Sequence, residues 1–353
     1  MLRTLWIGLL AVAGLVAAAP AVAQSALFTE VAPLTLVITA PFPALVRAAP
    51  KSTDPFPATL TVSDGAGPAR SLPIQLSARG LTRRTGGYCQ FPPLALEFAK
   101  PSVKGTPFQG QHKLKLVTYC RAPADFEQRI MLEYLAYRIY NLLTPASYRV
   151  RAVEVTYRDS DKAAGLTRFG YVIEDIEDLA HRNRAERLKL ATHQIGAAQF
   201  DAHAAARAAL FEFMIGNLDW DFLAGPPGSD CCHNARFIAA KGASPASLSG
   251  VVPIPYDFDY SGFVDSPYAL PPESLRLTRV TERLYRGYCV SSGEIPVVLD
   301  EFSAHRAEMT GLIDNQPRLT PAFRTKTVRY LDSFFALVDD PARVQTQIVR
   351  HCR

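Results

Sequence analysis

Phe126-Glu-Gln-Arg-Ile-Met-Leu-Glu133-Tyr-Leu-Ala-Tyr137-Arg-Ile-Tyr-Asn-Leu-Leu143 is the stretch on which the fold turns. Its apolar and aromatic residues recur on every side of a 3.6-residue period, so it reads as a helix buried all round. Asp125 with Gln128 suggests a capping box at its start, and Pro145 a stop just beyond its end. Strand-like segments flank it. Upstream, residues 58–63 alternate cleanly and run into Asp64-Gly65, a hairpin signal. Residues 71–77 return with a proline that suits an edge position, and 94–98 and 113–117 follow as two further strands. Downstream, 148–157 and 170–176 pair around the charged turn Arg158-Asp-Ser-Asp161. From about Leu179 helices dominate: 203–215 is Ala-rich and amphipathic, and Pro321 and Pro341 fit first helical positions after Thr320 and Asp340. A β-rich half with one embedded helix, then a helix-rich half, is an α+β pattern, with a cleft expected at the seam near 174–180.

The first residues read as an address. Arg3 supplies the charged start, residues 5–19 the apolar run, and Ala21-Val-Ala23 a small-residue cleavage site, so 1–23 is expected to be an export signal. A proline-rich lead-in over 24–53, a β-rich lobe over 54–178 and a helical lobe over 179–353 complete the expected organisation. No later segment approaches the roughly 20 apolar residues of a membrane span. The expected location is therefore exported, periplasmic or extracellular. Loss of Arg3 takes the formal charge from +5 to +4, which suits anionic ligands. No basic stripe with interleaved aromatics points to nucleic acid.

Cys89, Cys120, Cys231, Cys232, Cys289 and Cys352 form an even set, read as disulfides in an exported chain. Cys89 with Cys120 is favoured because each ends a strand, and Cys231 and Cys232 are expected to reach Cys289 and Cys352. The alternative is a metal site built from Cys231, Cys232 and His233, although it lacks a properly spaced second ligand pair.

Glu133 is the only acid between Ile130 and Leu143. A carboxylate on a buried helix needs a cation or a hydrogen-bond network. Lys113 and Lys115 share one face of the preceding strand, and a strand lysine paired with a helix glutamate places the lysine over nucleotide phosphates. The bland alternative is a weak surface ion pair. Arg79-Gly80, followed by Arg83, Arg84 and Gly86-Gly87, makes a basic loop that suits phosphate or is simply a solvated hairpin tip.

Three polar clusters abut apolar sequence in the second half: Asn217-Leu-Asp219-Trp-Asp221, His233-Asn234 and Tyr256-Asp257-Phe-Asp259-Tyr-Ser-Gly262. Singly, each acid reads as a cap or turn residue. In this order they match a phosphoryl-transfer site, in which an acid orients the nucleophile while an Asn and an Asp hold Mg²⁺ on nucleotide phosphates. Asp219 is the expected catalytic residue, with Asp221 its rival; Asn234, Asp257 and Asp259 are the expected ligands of Mg²⁺ or Mn²⁺. Metal-assisted hydrolysis of a phosphoester at the same acids is a further alternative. No GxSxG supports a serine hydrolase.

Several of these motifs resemble the spore coat protein H (CotH) family of atypical kinases. The run 108–116 (FQGQHKLKL) and then Arg129-Ile-Met-Leu-Glu133-Tyr-Leu-Ala-Tyr137 are similar to that family's strand and helix. Gly170-Tyr-Val-Ile-Glu174 looks like its hinge strand, Pro255-Tyr-Asp257-Phe-Asp259 its metal motif, and Asp219 with His233-Asn234 its catalytic segment. The likeness covers about 79–262. It implies a kinase-like fold that uses ATP and Mg²⁺ to phosphorylate a protein or another hydroxyl acceptor, including a cell-envelope component. On it Asp219 is catalytic, Asn234 and Asp257 bind metal, Glu133 is the helix glutamate, and Arg79-Gly80 begins the phosphate-side loop. Where the family has a K-K-P-Y-like segment this chain has Cys89-Gln-Phe-Pro-Pro93, leaving Lys113 or Lys115 to serve the nucleotide. An inactive binding or surface-interaction protein is the alternative that this departure favours.

Overall fold

The computed structural model describes residues 26–63, 67–85, 87–226, 231–243 and 248–353. The expected export signal, 1–23, and the Asp64-Gly65 hairpin tip lie outside them. Seven strands are formed by Leu34–Ala40 (β1), Phe56–Ser63 (β2), Arg70–Ala78 (β3), Leu94–Phe98 (β4), Lys113–Val117 (β5), Val150–Asp159 (β6) and Gly165–Ile173 (β7). They close into a barrel in the order β1-β2-β3-β4-β5-β7-β6. Every pairing is antiparallel except the closing one, in which β1 runs parallel to β6 from Leu34 opposite Val153 to Ala40 opposite Asp159. Alternation decides the inside: Leu34, Leu36 and Ile38 of β1 meet Leu114 and Leu116 of β5 and Val153 and Val155 of β6 in one sealed core. At Gly170 a Cβ would stand 2.6 Å from the Val117 carbonyl oxygen, so the close approach of β7 to β5 requires glycine there.

The long helix α3, Ala124–Leu143, lies against the outside of this barrel. It follows two short helices, α1 (Phe42–Ala48) and α2 (Thr82–Thr85). Tyr134 packs against Phe169 and Tyr171 of the barrel wall, while Tyr140 meets Phe211 and Tyr137 meets Phe258 on the other side. Contact on both sides explains why the helix is apolar all round. Gln128 does not close a capping box with Asp125. It spans to a distant loop instead, accepting from Thr320 N at 2.8 Å and donating to the Arg318 carbonyl at 2.8 Å. The remaining helices are α4 (Ile176–Arg182), α5 (Ala202–Ile215), α6 (Ile295–Ala304), α7 (Arg306–Asp314), α8 (Pro321–Val338) and α9 (Pro341–Gln347). Thr320 and Asp340 cap α8 and α9 ahead of the prolines, as the sequence indicates. A second, three-stranded sheet, Ala185–Leu188 (β8), Ala235–Ala240 (β9) and Val252–Pro255 (β10), has the order β10-β9-β8.

These features correct the expected architecture. A kinase-like α+β fold, with one helix in a β-rich lobe and a helical second lobe, is not what the chain forms. The β-structure is a closed seven-stranded barrel, and a separate sheet sits within the helix-rich half. The physical reason is β1. Its seven alternating residues sit between Pro33 and Pro41, so they read as lead-in, yet they cover both β2 and β6 and leave the barrel no free edge.

All six cysteines are paired. Cys89–Cys120 forms as expected, tying the segment before β4 to the residues after β5. The other expected pairings are corrected: Cys231 bonds Cys232, and Cys289 bonds Cys352. The C-terminus makes the latter natural, because Cys289 N donates to Arg353 O at 3.0 Å and Arg353 N to Gly287 O at 2.9 Å. Among the described residues no helix is long and apolar enough to cross a membrane. Replacing Cys89 and Cys120 together by serine frees a loop of 31 residues and should cost about 2–4 kcal/mol. Calorimetry should show the melting temperature falling by several degrees, and an unchanged melt would mean that the bridge leaves the unfolded chain unconstrained.

Candidate functional site

A cleft of about 770 Å³ opens between the outer barrel wall, α3 and the second sheet. Arg79, Lys115, Glu133, Asp219, Asn234, Asp257 and Asp259 all line it, whereas Lys113 and Asp221 do not. Local structure explains how distant segments converge. Arg79 leaves β3 with its N–H bonded to Pro93 O at 2.9 Å, which fixes the start of the basic loop against β4. Lys115 faces outward from β5, because Leu114 and Leu116 point into the barrel. β9 begins at Ala235 and β10 ends at Pro255, and the register sets these two residues opposite each other. An antiparallel ladder therefore delivers Asn234 and Asp257 at the same end of the pair, and Tyr256 N donates to Asn234 O at 3.0 Å. Both residues are left-handed, Asn234 at φ 49° and Asp257 at φ 66°. Asn and Asp tolerate that conformation best, though at some cost, and it aims both side chains off the sheet end.

Beneath the cleft lies a buried ionic knot that the sequence did not disclose. Arg83, from α2, donates Nη2–H to Glu133 at 2.5 Å, and Nε–H to Asp259 at 2.9 Å and to the Tyr268 hydroxyl at 3.0 Å. Glu133 is therefore paired, but with Arg83 rather than with Lys113 or Lys115. Burial pushes both carboxyls upward; Arg83 pulls them down, and the charge of Asp257 adds to the rise. Burial opposes the charge on Arg83, yet Asp259 and Glu133 outweigh it and hold the guanidinium well above its ordinary value. Oxygen atoms of Glu133, Asp257 and Asp259 all lie within 4.8 Å of one another. One guanidinium among three carboxylates leaves a net deficit of positive charge.

The wall opposite is basic. Lys115 stands 5.2 Å from the centre of the Tyr256 ring, and Arg236 stands 5.0 Å from it. Burial, then Arg79 and Arg236, lower the Lys115 ammonium to about 8. Lys113 instead stays exposed on β5 and pairs with Glu97, its direct neighbour on β4.

Asp219 anchors the third corner. His233 Nε2 lies 2.6 Å from Asp219 Oδ1, while Asn234 Nδ2 donates to Asp219 Oδ2 at 3.0 Å and to its carbonyl at 2.7 Å. The hydrogen bond to Asp219 raises His233 above its ordinary value against the effect of burial. Asp221 turns the other way. Its carboxylate accepts from Leu223 N at 2.8 Å and pairs with Arg353 at 2.9 Å, so it caps a turn and ties down the C-terminus. The vicinal cysteines line the cleft but are bonded to each other, and His233 serves Asp219, so no cysteine–histidine metal site forms.

The sequence places Arg83 only in a basic loop, and it groups His233-Asn234 with Asp219 without pairing the His233 ring to the Asp219 carboxylate. It also misses Tyr137, whose hydroxyl accepts from Asp257 N at 2.9 Å. Adjacency to Asn234 is the signal that could have found the role of His233. Arg83 has no local signal for its pairing, because its partners are 50 and 176 residues away. Comparison of the chain with models of protein families and with curated proteins finds no match.

Arg83→Met should cost about 3–5 kcal/mol near neutral pH, the scale for orphaning buried charges. Glu133 and Asp259 are raised above their ordinary 4.5 and 3.8. Their protonation thus favours the fold: that contribution is full below those ordinary values and is lost as pH rises through the raised ones. Loss of Arg83 raises both further, so the deficit should shrink from about pH 8 to about pH 5. Urea unfolding at the two pH values measures it, and an equal deficit at both would show that the carboxyls carry no charge in the fold.

Proposed function

We propose that the cleft binds a divalent cation with a nucleoside triphosphate, and that it transfers the terminal phosphoryl group to a hydroxyl of a protein or cell-envelope acceptor. The observation that carries this reading is the division of charge in one cavity: a carboxylate cluster in excess of its cation faces a wall of Arg79, Lys115 and Arg236. A metal–polyphosphate complex carries both complementary charges, and neither a simple anion nor a simple cation does.

The donor set fits a hard cation. Arg83 is one cation among three carboxyls, so the cluster still has negative charge to offer, and all the offered atoms are oxygens. Asp257 and the Asn234 side-chain oxygen would hold Mg²⁺ or Mn²⁺, with Asp259 behind them already engaged by Arg83. When bound, the ion neutralises phosphate charge and orients the transferring group. The protein's own residues do the rest. Lys115 and Arg79 bind the phosphate oxygens. Asp219, steadied by His233 and Asn234, accepts the proton of the acceptor hydroxyl as its oxygen bonds to the terminal phosphorus. The bond from that phosphorus to the bridging oxygen breaks, and the nucleoside diphosphate leaves. The motifs that resemble the spore coat protein H family meet in this cleft and support the reading. Three disulfides support an exported location.

Thermal melting with ATP and Mg²⁺ tests the proposal. Wild type should be stabilised by about 2–3 kcal/mol at a hundredfold excess of ligand over Kd, and Asp257→Asn should lose the Mg²⁺-dependent part. Retained Mg-nucleotide affinity in that variant would sink the metal assignment. Asp219→Asn should keep the shift and lose transfer by about 10²-fold or more. A wild-type protein that binds Mg-nucleotide and transfers nothing would be the binding protein of the alternative reading.

A further inference from the structure

Among the described residues, one buried acid has no hydrogen bond of ordinary geometry. Glu212 lies on α5 among Ala208, Ala209, Phe211, Phe213 and Ile215, at 0 % exposure. Neither of its carboxyl oxygens has a hydrogen-bond partner among the described residues, and neither does Nδ2 of Asn217, itself 1 % exposed. Each orphaned buried polar group costs about 1–3 kcal/mol, so packing alone gives no reason to keep the pair.

Their placement does. Gly216, left-handed at φ 64°, ends α5, and Asn217 N folds back to bond Glu212 O at 2.8 Å. That turn brings an unmatched donor, Asn217 Nδ2, beside an unmatched acceptor, the Glu212 carboxyl, near each other but short of ordinary hydrogen-bond geometry. The other end of the same carboxamide, Asn217 Oδ1, accepts from Asp219 N at 3.1 Å. The Asn217 carbonyl accepts from Trp220 Nε1 at 3.1 Å, which fixes the residue after Asp219 as well. A carboxamide has one donor end and one acceptor end, so a group that takes the donor end decides where the acceptor end points.

We propose that Glu212 is a positioning residue for Asp219: it orients the Asn217 carboxamide, whose oxygen holds the Asp219 backbone at the cleft. The proposal rests on the reading in which Asp219 serves the transfer. Burial drives the Glu212 carboxyl well above its ordinary value, and a carboxyl oxygen remains available to Asn217.

Three variants of the full chain test this. Glu212→Gln keeps an acceptor of the same shape. Glu212→Met keeps the volume and removes it. Asn217→Asp leaves α5 untouched, keeps an oxygen for Asp219 N and removes the donor. The readout that needs no activity is the imidazole Nε2 proton of His233, bonded to Asp219, followed by NMR in protein labelled with ¹⁵N-histidine. We expect this resonance to move in Glu212→Met and Asn217→Asp and to stay in Glu212→Gln. Phosphoryl transfer should fall by about 10- to 100-fold in the first two with KM for the nucleotide unchanged, and should be normal in Glu212→Gln. An unmoved resonance in a folded Glu212→Met protein overturns the proposal, as does a Glu212→Gln protein as impaired as Glu212→Met. If wild type itself transfers nothing, the functional reading fails while the His233 resonance still decides the role of Glu212. Should Glu212→Met not fold, the resonance in Asn217→Asp decides in its place: movement supports the proposal and an unmoved signal overturns it.

Discussion

The guanidinium of Arg83, clamped between Glu133 and Asp259, is the constraint around which the cleft is arranged. Removing three charged groups from water costs several kcal/mol each, and only close pairing with satisfied hydrogen bonds recovers it. The clamp therefore forces three remote pieces of chain into one place: the loop after β3, the middle of α3 and the turn after β10. Tyr268 adds a fourth, accepting from Arg83 and donating to Asp259. The barrel supplies a rigid wall and α3 a post packed on both sides, but the ionic knot joins the wall to the second sheet at the floor of the site.

That knot also explains a division of labour among the acids. Glu133 and Asp259 are spent on Arg83, so Asp257, one residue before the short 3₁₀ turn Phe258–Tyr260, is the carboxylate left open to the cleft. Its left-handed backbone points it away from the sheet while its N–H is held by Tyr137. Opposite, Lys115 is half-buried between aromatic rings with two guanidiniums nearby, which makes its own charge expensive. A cation destabilised by burial and by neighbouring guanidiniums has the most to gain from an incoming anion, and a carboxylate cluster short of positive charge has the most to gain from an incoming cation. The proposed metal–nucleotide ligand would bring both.

How much of this was legible in the sequence differs by scale. Strands β2 to β7 and helix α3 follow from alternation and apolar periodicity, and the helix caps at Thr320 and Asp340 follow from single residues. These are local signals, and local physics suffices for them. Barrel closure was hidden because a parallel β1–β6 pairing joins segments over a hundred residues apart and leaves no mark in either. The site was legible as a set of residues, since a polar cluster beside an apolar run is conspicuous wherever it occurs. Its pairings were not. Glu133 was expected to pair with Lys113 or Lys115, yet its partner is Arg83 of α2, 50 residues upstream, while Lys115 lines the same cleft without pairing it. Asp219 and Asp221, two residues apart, could be separated only by geometry: one faces His233 and the cleft, the other faces Arg353.

Departures from good packing occur in several parts of this chain, since Arg184, His193, Asp265 and Arg276 are also left-handed and Tyr157, Tyr285 and Tyr330 also carry unmatched buried hydroxyls, but one group of them surrounds the cleft. Asn234 and Asp257 hold left-handed backbones, Glu133 and Asp259 are carboxyls raised by burial and crowding, and Glu212 and Asn217 carry unmatched polar atoms. All of them lie within the cleft or in the turn that carries Asp219 to its edge. Sequences tend to satisfy propensity, packing and hydrogen bonding together, and break those rules where something else is being held in place. Much of the chain obeys them: the barrel core is largely apolar and α8 is capped by Thr320 with Pro321 behind it. The left-handed backbones of Asn234 and Asp257, which stand at the same end of the β9–β10 pair, are strain that the ligand proposed for the cleft would account for.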